Sequence, residues 1–291
     1  MAKFYTEEEI NFLKEFGPKF GPKICADKLG RGLEGVKSKF YKLNIPISGG
    51  NVSKEEIETL IFTSTYINLA IEFTNHQNPK ELAYWLGFFW ADGYIRKDSE
   101  LVIEISEEDG IVLEPIFKRL ASFKIYKRIR EGRKPQMSFY YRDKNIAQVL
   151  KSLGKYSNSV ESHEKILQYI PEKYRNYFIR GLIDGDGSFY TDSKHVQFSI
   201  YNGINYDWEY LKNYFNNVYN LNCSINKIET NSGNSSSLRA SGKYNIMDFI
   251  KQLYKIKDGI WLSRKYAKCE YILNLNRNNE NSNGFYFENE V

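Results

Sequence analysis

The order of apolar and polar positions divides the chain into helical and extended stretches. Thr6-Glu-Glu-Glu9 reads as a capping box opening a helix with Ile10, Leu13 and Phe16 inward. Gly17 to Gly21 reads as a turn, and Pro22–Leu29 as a short helix stopped by Gly30. Leu33–Leu43 places Val36, Phe40 and Leu43 on one side of a third helix and Lys37, Lys39, Tyr41 and Lys42 on the other. Pro46–Gly50 has the character of a linker, and a second capping box, Ser53-Lys-Glu-Glu56, starts another helical stretch that runs towards Thr74–Pro79.

Beyond that point one pattern occurs twice. Trp85-Leu-Gly-Phe-Phe-Trp-Ala-Asp-Gly93 superimposes without a gap on Ile179-Arg-Gly-Leu-Ile-Asp-Gly-Asp-Gly187, 94 residues later. Each apolar helix is followed by a short strand (Tyr94–Lys97; Ser188–Thr191), a turn, and an alternating strand (Leu101–Ser106; His195–Tyr201). Helical spacing resumes over Gly110–Ala121 and Trp208–Tyr219. Hairpins over Lys124–Arg142 and Asn222–Ser241 come next, and short helices near Lys144–Leu153 and Tyr244–Tyr254 close each copy. The predicted fold class is therefore α+β, two pseudo-symmetric αββαββα repeats behind a small N-terminal helical domain. The expected domains are 1–50 and 80–170 and 171–275, with a helical linker over 51–79 and a polar tail over 276–291.

Composition narrows the class. The longest apolar stretches, such as Leu82–Ala91, fall well short of the ~20 residues of a membrane span. No secretory signal is visible behind Met1, and three scattered Cys form neither a disulfide framework nor a zinc box. The expectation is an intracellular, monomeric protein without membrane contact. The Asn/Lys-rich composition suits a bacterial or phage-infected cell, or an organelle.

The net charge of +5 is mild but unevenly spread. Pro115–Lys155 carries twelve Lys/Arg and two acids, Asp98–Glu114 seven acids and no base, and Tyr210–Lys268 ten bases and three acids. Basic blocks most often mean a solvated face; interleaved aromatics and strand alternation point here to nucleic acid. In Lys124–Glu131, Lys124, Tyr126, Arg128 and Arg130 share one face while Ile125 and Ile129 take the other. In the partner strand Gln136, Ser138, Tyr140 and Arg142 oppose Met137, Phe139 and Tyr141. Arg and Gln suit guanine and adenine edges in the major groove. His195, Gln197, Ser199, Tyr201 and Arg239 are the corresponding candidates in the second copy, and Ile228 leaves the register of Asn226–Thr230 open.

Gly87 and Gly181 stand mid-helix, where each costs about 0.8–1 kcal/mol relative to Ala, so two helices are expected to approach closely there. The terminal Gly93 and Gly187 suit left-handed helix caps. Asp92 and Asp186 then fall at helix C-termini, where the dipole opposes an anion by roughly 0.3–1 kcal/mol. Acids placed twice against their local field call for a cation. Flanking a pseudo-dyad between basic sheets, they would hold divalent metals at two scissile phosphates. A lone Asp-Gly is usually just a turn; two in matched frames reverse that judgement.

These residues resemble the LAGLIDADG homing endonuclease family in its single-chain, two-motif form, over roughly Lys80–Leu273. The resemblance implies site-specific double-strand cleavage of a long, pseudo-symmetric or asymmetric DNA target. It implies Asp92 and Asp186 as catalytic metal ligands, with Ala91 and Gly185 beside them in the metal set. Mg²⁺ is the implied cofactor, with Mn²⁺ as a substitute and Ca²⁺ binding without supporting cleavage. Lys265 fits the basic residue the family carries near its metals. The first copy reads Ser157-Asn-Ser-Val-Glu-Ser162 where a lysine is common, and Lys165 lies slightly late, so the first basic group is unassigned and a slower cut in that half is implied. Trp90 replaces the inner acid present as Asp184.

The N-terminal helices resemble a Myb-like helix-turn-helix, with Lys37, Lys39 and Lys42 towards DNA; plain helical packing or protein docking is the competing use. For the whole chain, the alternative to a nuclease is a non-cleaving binder of the same fold, a splicing maturase or transcriptional regulator. An intein remnant is disfavoured because no splice residues flank the motif.

Overall fold

The computed structural model describes residues 4–46, 76–97, 99–132, 134–155, 162–192, 195–230 and 233–275. Ser53-Lys-Glu-Glu56, most of the linker, the segment Ser157-Asn-Ser-Val-Glu161 and the tail over 276–291 lie outside these residues. No helix among the described residues is long and apolar enough to cross a membrane.

At the N-terminus, α1 (Glu7–Leu29) and α2 (Leu33–Lys42) enclose a small core of their own around Phe12, Leu13, Val36 and Phe40. The Thr6/Glu9 capping box forms as expected. The expected turn over Gly17–Gly21 contracts to one residue, Gly21 (φ 74°, ψ 169°), between two helical stretches. Gly17 is instead a packing position under the Phe40 ring. Glu9 is buried, and Arg31 reaches it through both Nε (2.8 Å) and Nη2 (2.7 Å), so this acid is paired twice over.

The rest of the described chain is the duplicated unit. The first copy runs α3 (Pro79–Asp92), β1 (Gly93–Arg96), β2 (Glu100–Ser106), α4 (Glu107–Lys118), β3 (Lys124–Arg128), β4 (Gln136–Arg142) and α5 (Lys144–Ser152). After the short helix α6 (Glu164–Tyr169), the second copy runs α7 (Glu172–Asp186), β5 (Gly187–Thr191), β6 (Val196–Gly203), α8 (Glu209–Tyr219), β7 (Ser224–Thr230), β8 (Gly233–Ser241) and α9 (Lys243–Leu253). A last helix, α10 (Ser263–Asn274), lies beyond the pattern, as α6 does. Both antiparallel sheets have the same order, β1-β2-β4-β3 and β5-β6-β8-β7. The architecture is two αββαββα repeats with four-stranded sheets.

The motif helices α3 and α7 pack against each other, and the glycines explain how. A Cβ on Gly87 would stand 1.9 Å from the Phe178 carbonyl oxygen, and one on Gly181 2.0 Å from that of Tyr84. Tyr84 and Phe178 are themselves equivalent in the two copies, so the crossing is symmetric. Alanine methyls would collide with fixed backbone, and glycine's low helix propensity is offset by this approach. The helix ends differ from expectation. Gly93 (φ −79°, ψ 158°) and Gly187 (φ −85°, ψ 153°) are extended rather than left-handed. They are glycines because a Cβ would meet the Phe89 ring at 2.2 Å or the Ile183 backbone at 2.7 Å.

Strand alternation turns Leu101, Ile103, Ile105, Met137 and Phe139 towards α3 and α4, and Phe198, Ile200, Leu238 and Ala240 towards α7 and α9. One expected core residue is misplaced: β3 ends at Arg128, so Ile129 is 79% exposed and Arg130 lies beyond the sheet. The open register resolves with Asn226 opposite Ser237 and Ile228 opposite Ser235, both on the outward face.

Candidate active site

Asp92 is the last residue of α3 and Asp186 the last of α7, as the repeated motif predicts. The two helix ends converge. A Cβ on Gly185 would lie 2.3 Å from Cβ of Ala91 and 3.3 Å from Oδ2 of Asp92. By surface area Asp92 is exposed and Asp186 is half-buried. Desolvation raises the Asp92 carboxyl above its usual range against the pull of Lys265 and Lys155. It pushes Asp186 up to about 7, with the Asp92 charge adding to the rise.

Two lysines complete the arrangement. Lys265, in the first turn of α10, donates to the carbonyls of Ile183 (2.8 Å), Gly185 (3.1 Å) and Gly187 (2.8 Å). Those are oxygens at the end of α7, where a helix leaves acceptors unsatisfied and its dipole is negative. In the first half the equivalent group is Lys155, which donates to Trp90 O at 3.0 Å and sits over the Phe89 ring. Lys155 is 2% exposed, and burial lowers its amine to about 8 even though Asp186 and Asp92 pull it upward. Each cation thus sits on the carbonyls of one helix end while pulling on the aspartate of the other repeat, Lys155 on Asp186 more than on Asp92 and Lys265 on Asp92. Lys155, not Lys165, is the basic group sequence reasoning missed. It follows α5 directly, whereas Lys265 arrives one helix later, so the two amines correspond in space and not in the repeat frame.

The inner acid is a structural group. Asp184 is fully buried and accepts from Tyr84 Oη and from the Leu262 N–H, each at 2.7 Å. It thereby ties α7 to α3 and fixes the residue from which α10 starts. Its carboxyl is pushed up to about 6 by burial, and Trp90 fills the matching place with an indole. Arg180 steadies the approach to α10, donating to Leu253 O, Ile256 O and Asp258. Arg264 reaches across to the first repeat through two bonds to Asp109, at 2.7 and 2.8 Å. On the other side His163, the N-cap of α6, meets Tyr206 Oη through Nδ1.

Among the described residues no three His, Cys, Asp or Glu side chains gather as a metal cage. The acidic pair stands with backbone oxygens, of which Gly185 O accepts from Lys265.

The predicted DNA-facing residues divide by sheet. Lys124, Tyr126 and Arg128 line up with Tyr140, Ser138 and Gln136 across the β3–β4 pair, on the outward face. Arg142 joins them opposite Glu100. Ser138 is on this face but covered, with Glu104 accepting from its hydroxyl at 3.3 Å. The acids Glu100 and Glu104, and Arg96 on β1, belong to the same face; the apolar run Leu101-Val-Ile103 places buried Val102 on that face too and blurs the β2 alternation that would mark the acids. Gln197, Ser199, Tyr201 and Arg239 share the second outward face. His195 precedes β6 and is held in the turn by Asp192. On α2, Lys37 and Lys42 are exposed, Lys37 bonded to Glu34, while Lys39 lies over the Tyr5 ring.

Residues 79–166 match the family model of the LAGLIDADG-like domain, 88 of the 291 residues. The matched stretch begins at α3 and spans the first repeat. Among solved structures, the homing endonuclease I-WcaI bound to its DNA recognition sequence is 15% identical. That match has a TM-score of 0.48 and covers 77% of this chain and 94% of that one. I-DmoI in complex with DNA and Ca is 17% identical (TM-score 0.46; 66% and 97% covered). Full-length DUF199/WhiA from Thermatoga maritima is 18% identical (TM-score 0.42; 70% and 64% covered). No curated protein matches the chain.

Proposed function

We propose that the chain is a divalent-metal-dependent endonuclease that cuts both strands of a specific double-stranded DNA target. The pairing of Asp92 with Asp186 carries this reading: two carboxylates at converging helix ends, beside two structurally similar sheets. Hard carboxylate and carbonyl oxygens suit Mg²⁺, with Mn²⁺ able to replace it and Ca²⁺ able to occupy the same donors. A divalent cation there would neutralise charge at a scissile phosphate and make water a better nucleophile. Asp92 and Asp186 would hold it, with Ala91 O and Gly185 O within their own turns. Lys155 and Lys265 would keep each helix end from repelling the phosphate, and the outward sheet faces would fix the duplex. Water attacking in line would leave a 3′ hydroxyl on each strand. Lys37 and Lys42 of α2 would extend the contact on one flank as a helix-turn-helix module.

One observation favours a second reading. Lys265 already occupies Gly185 O, and the two lysines already offset the carboxylate charges. A non-cleaving binder of DNA, a maturase or a transcriptional regulator, would need nothing more at this place. Incubating the protein with a randomised duplex library, with Mg²⁺ and with EDTA, separates the two. A nuclease yields one family of sites cut on both strands only with Mg²⁺. Retained but uncut duplexes in both conditions would identify a binder, and no selection at all would reject DNA as the partner.

A further inference from the structure

Because the two sheets share strand order and pairing, their outward faces can be compared position by position, and they are chemically unlike. The first presents the cations Arg96, Lys124, Arg128 and Arg142 together with the acids Glu100 and Glu104. These charges brace one another. Arg96 Nε bonds Glu100 at 2.7 Å and its guanidinium lies 5.2 Å from the Tyr140 ring centre. Glu104, opposite Ser138 with Tyr126 on the next strand, stands 3.9 Å from Arg128 Nη1.

The second face has hydroxyls and amides in their place. Among its described strand residues Arg239 is the one charged side chain, with Ser188, Ser224 and Ser241 exposed around it and Ser199 and Ser237 covered. Its polar groups are bonded along their own strands. Gln197 Nε2 donates to Ser199 Oγ (2.9 Å), Arg239 Nε to Ser237 Oγ (2.9 Å) and Asn226 Nδ2 to Ser224 Oγ (3.3 Å).

We propose that the two halves of the DNA target are read unequally: the half facing β1–β4 requires G·C pairs at fixed positions, and the half facing β5–β8 tolerates substitution. The inference rests on the DNA reading above but not on cleavage. An arginine fits the two acceptors of a guanine edge, and a glutamate accepts from the cytosine amino group. A pre-aimed charge that meets the wrong base is left desolvated and unpaired, which makes the mismatch costly. A serine hydroxyl both donates and accepts and rotates to suit either edge. It therefore adds contact with little discrimination.

The test is a binding selection in EDTA, where no duplex is cut: a randomised double-stranded DNA library is retained on the full-length protein and the retained pool is sequenced. One half of the profile is expected to contain G·C pairs whose replacement lowers retention about 5–150-fold each. In the other half single replacements stay within about threefold, except at the position facing Arg239. Glu104→Gln and Arg128→Ala should each flatten positions in the strict half, and Arg239→Ala a position in the permissive half. The wild-type profile needs no variant to fold. Equal stringency in the two halves, or a strict half that responds to Arg239→Ala, would overturn the proposal. A pool with no enriched sequence would overturn the DNA reading itself, and this inference with it.

Discussion

Asp92 and Asp186 each stand where a helix end repels an anion, and each is matched by an amine placed on the carbonyls of that same helix end. The lysines are therefore expected to act one per strand. Lys155→Met keeps the buried stem and removes the charge. It should slow the cut of one strand about 10²-fold while the other strand is nicked at close to the wild-type rate, as seen with separately labelled strands. Equal slowing of both strands would contradict the assignment. His163 gives a prediction that needs no DNA. Burial, with Lys155 nearby, holds its imidazole down at about 3, so the folded state keeps it neutral while the unfolded state protonates near its ordinary pH. Its contribution to stability is present above about pH 6.5 and lost as pH falls towards 3. His163→Phe should therefore lose less stability than wild type on acidification, by on the order of 1–2 kcal/mol at pH 5, in parallel thermal melts. Identical pH profiles would sink the idea. That the two aspartates end matched helices was legible in the sequence, because a motif that occurs twice in one frame marks its own equivalent positions. Lys155 was not, because its amine reaches the site from a different element than Lys265 does.

Element by element, the crossing of α3 and α7 is the joint on which the site depends. Gly87→Ala would add about 1 kcal/mol of helix propensity in an isolated helix. Here its methyl falls 1.9 Å from the Phe178 carbonyl, a backbone atom that cannot rotate away. The expected result is a net loss of about 3 kcal/mol or more in urea unfolding. A variant as stable as wild type would mean that the helices do not pack this closely. Strand alternation revealed most outward positions in advance, since a period of two leaves only one face for each side chain. It failed at Ile129, where the pattern continues past the last hydrogen-bonded residue. It also leaves Glu104 unmarked, because buried Val102 shares its face and breaks the period.

For the molecule as a whole, the duplication predicted both sheets and the pseudo-dyad, because two copies of one unit can bury their apolar helices only against each other. The pattern said less about α6 and α10, which lie outside the repeat and yet flank the place where the lysines enter. Removing residues 1–50 should leave the central cut in place while weakening binding and shortening the protected DNA on one side, as read by footprinting; an unchanged footprint would make α1 and α2 a packing or docking unit. The central claim is that Asp92 and Asp186 form one paired site at converging helix ends. Its most direct measurement is strand-resolved cleavage of a selected target in Mg²⁺ by Asp92→Asn and Asp186→Asn, with affinity measured alongside. Both variants should fail to make double-strand breaks while binding the target within about tenfold of wild type, since each swap removes a ligand charge and leaves the sheets untouched. Double-strand breaks at the wild-type rate from either variant would contradict the account.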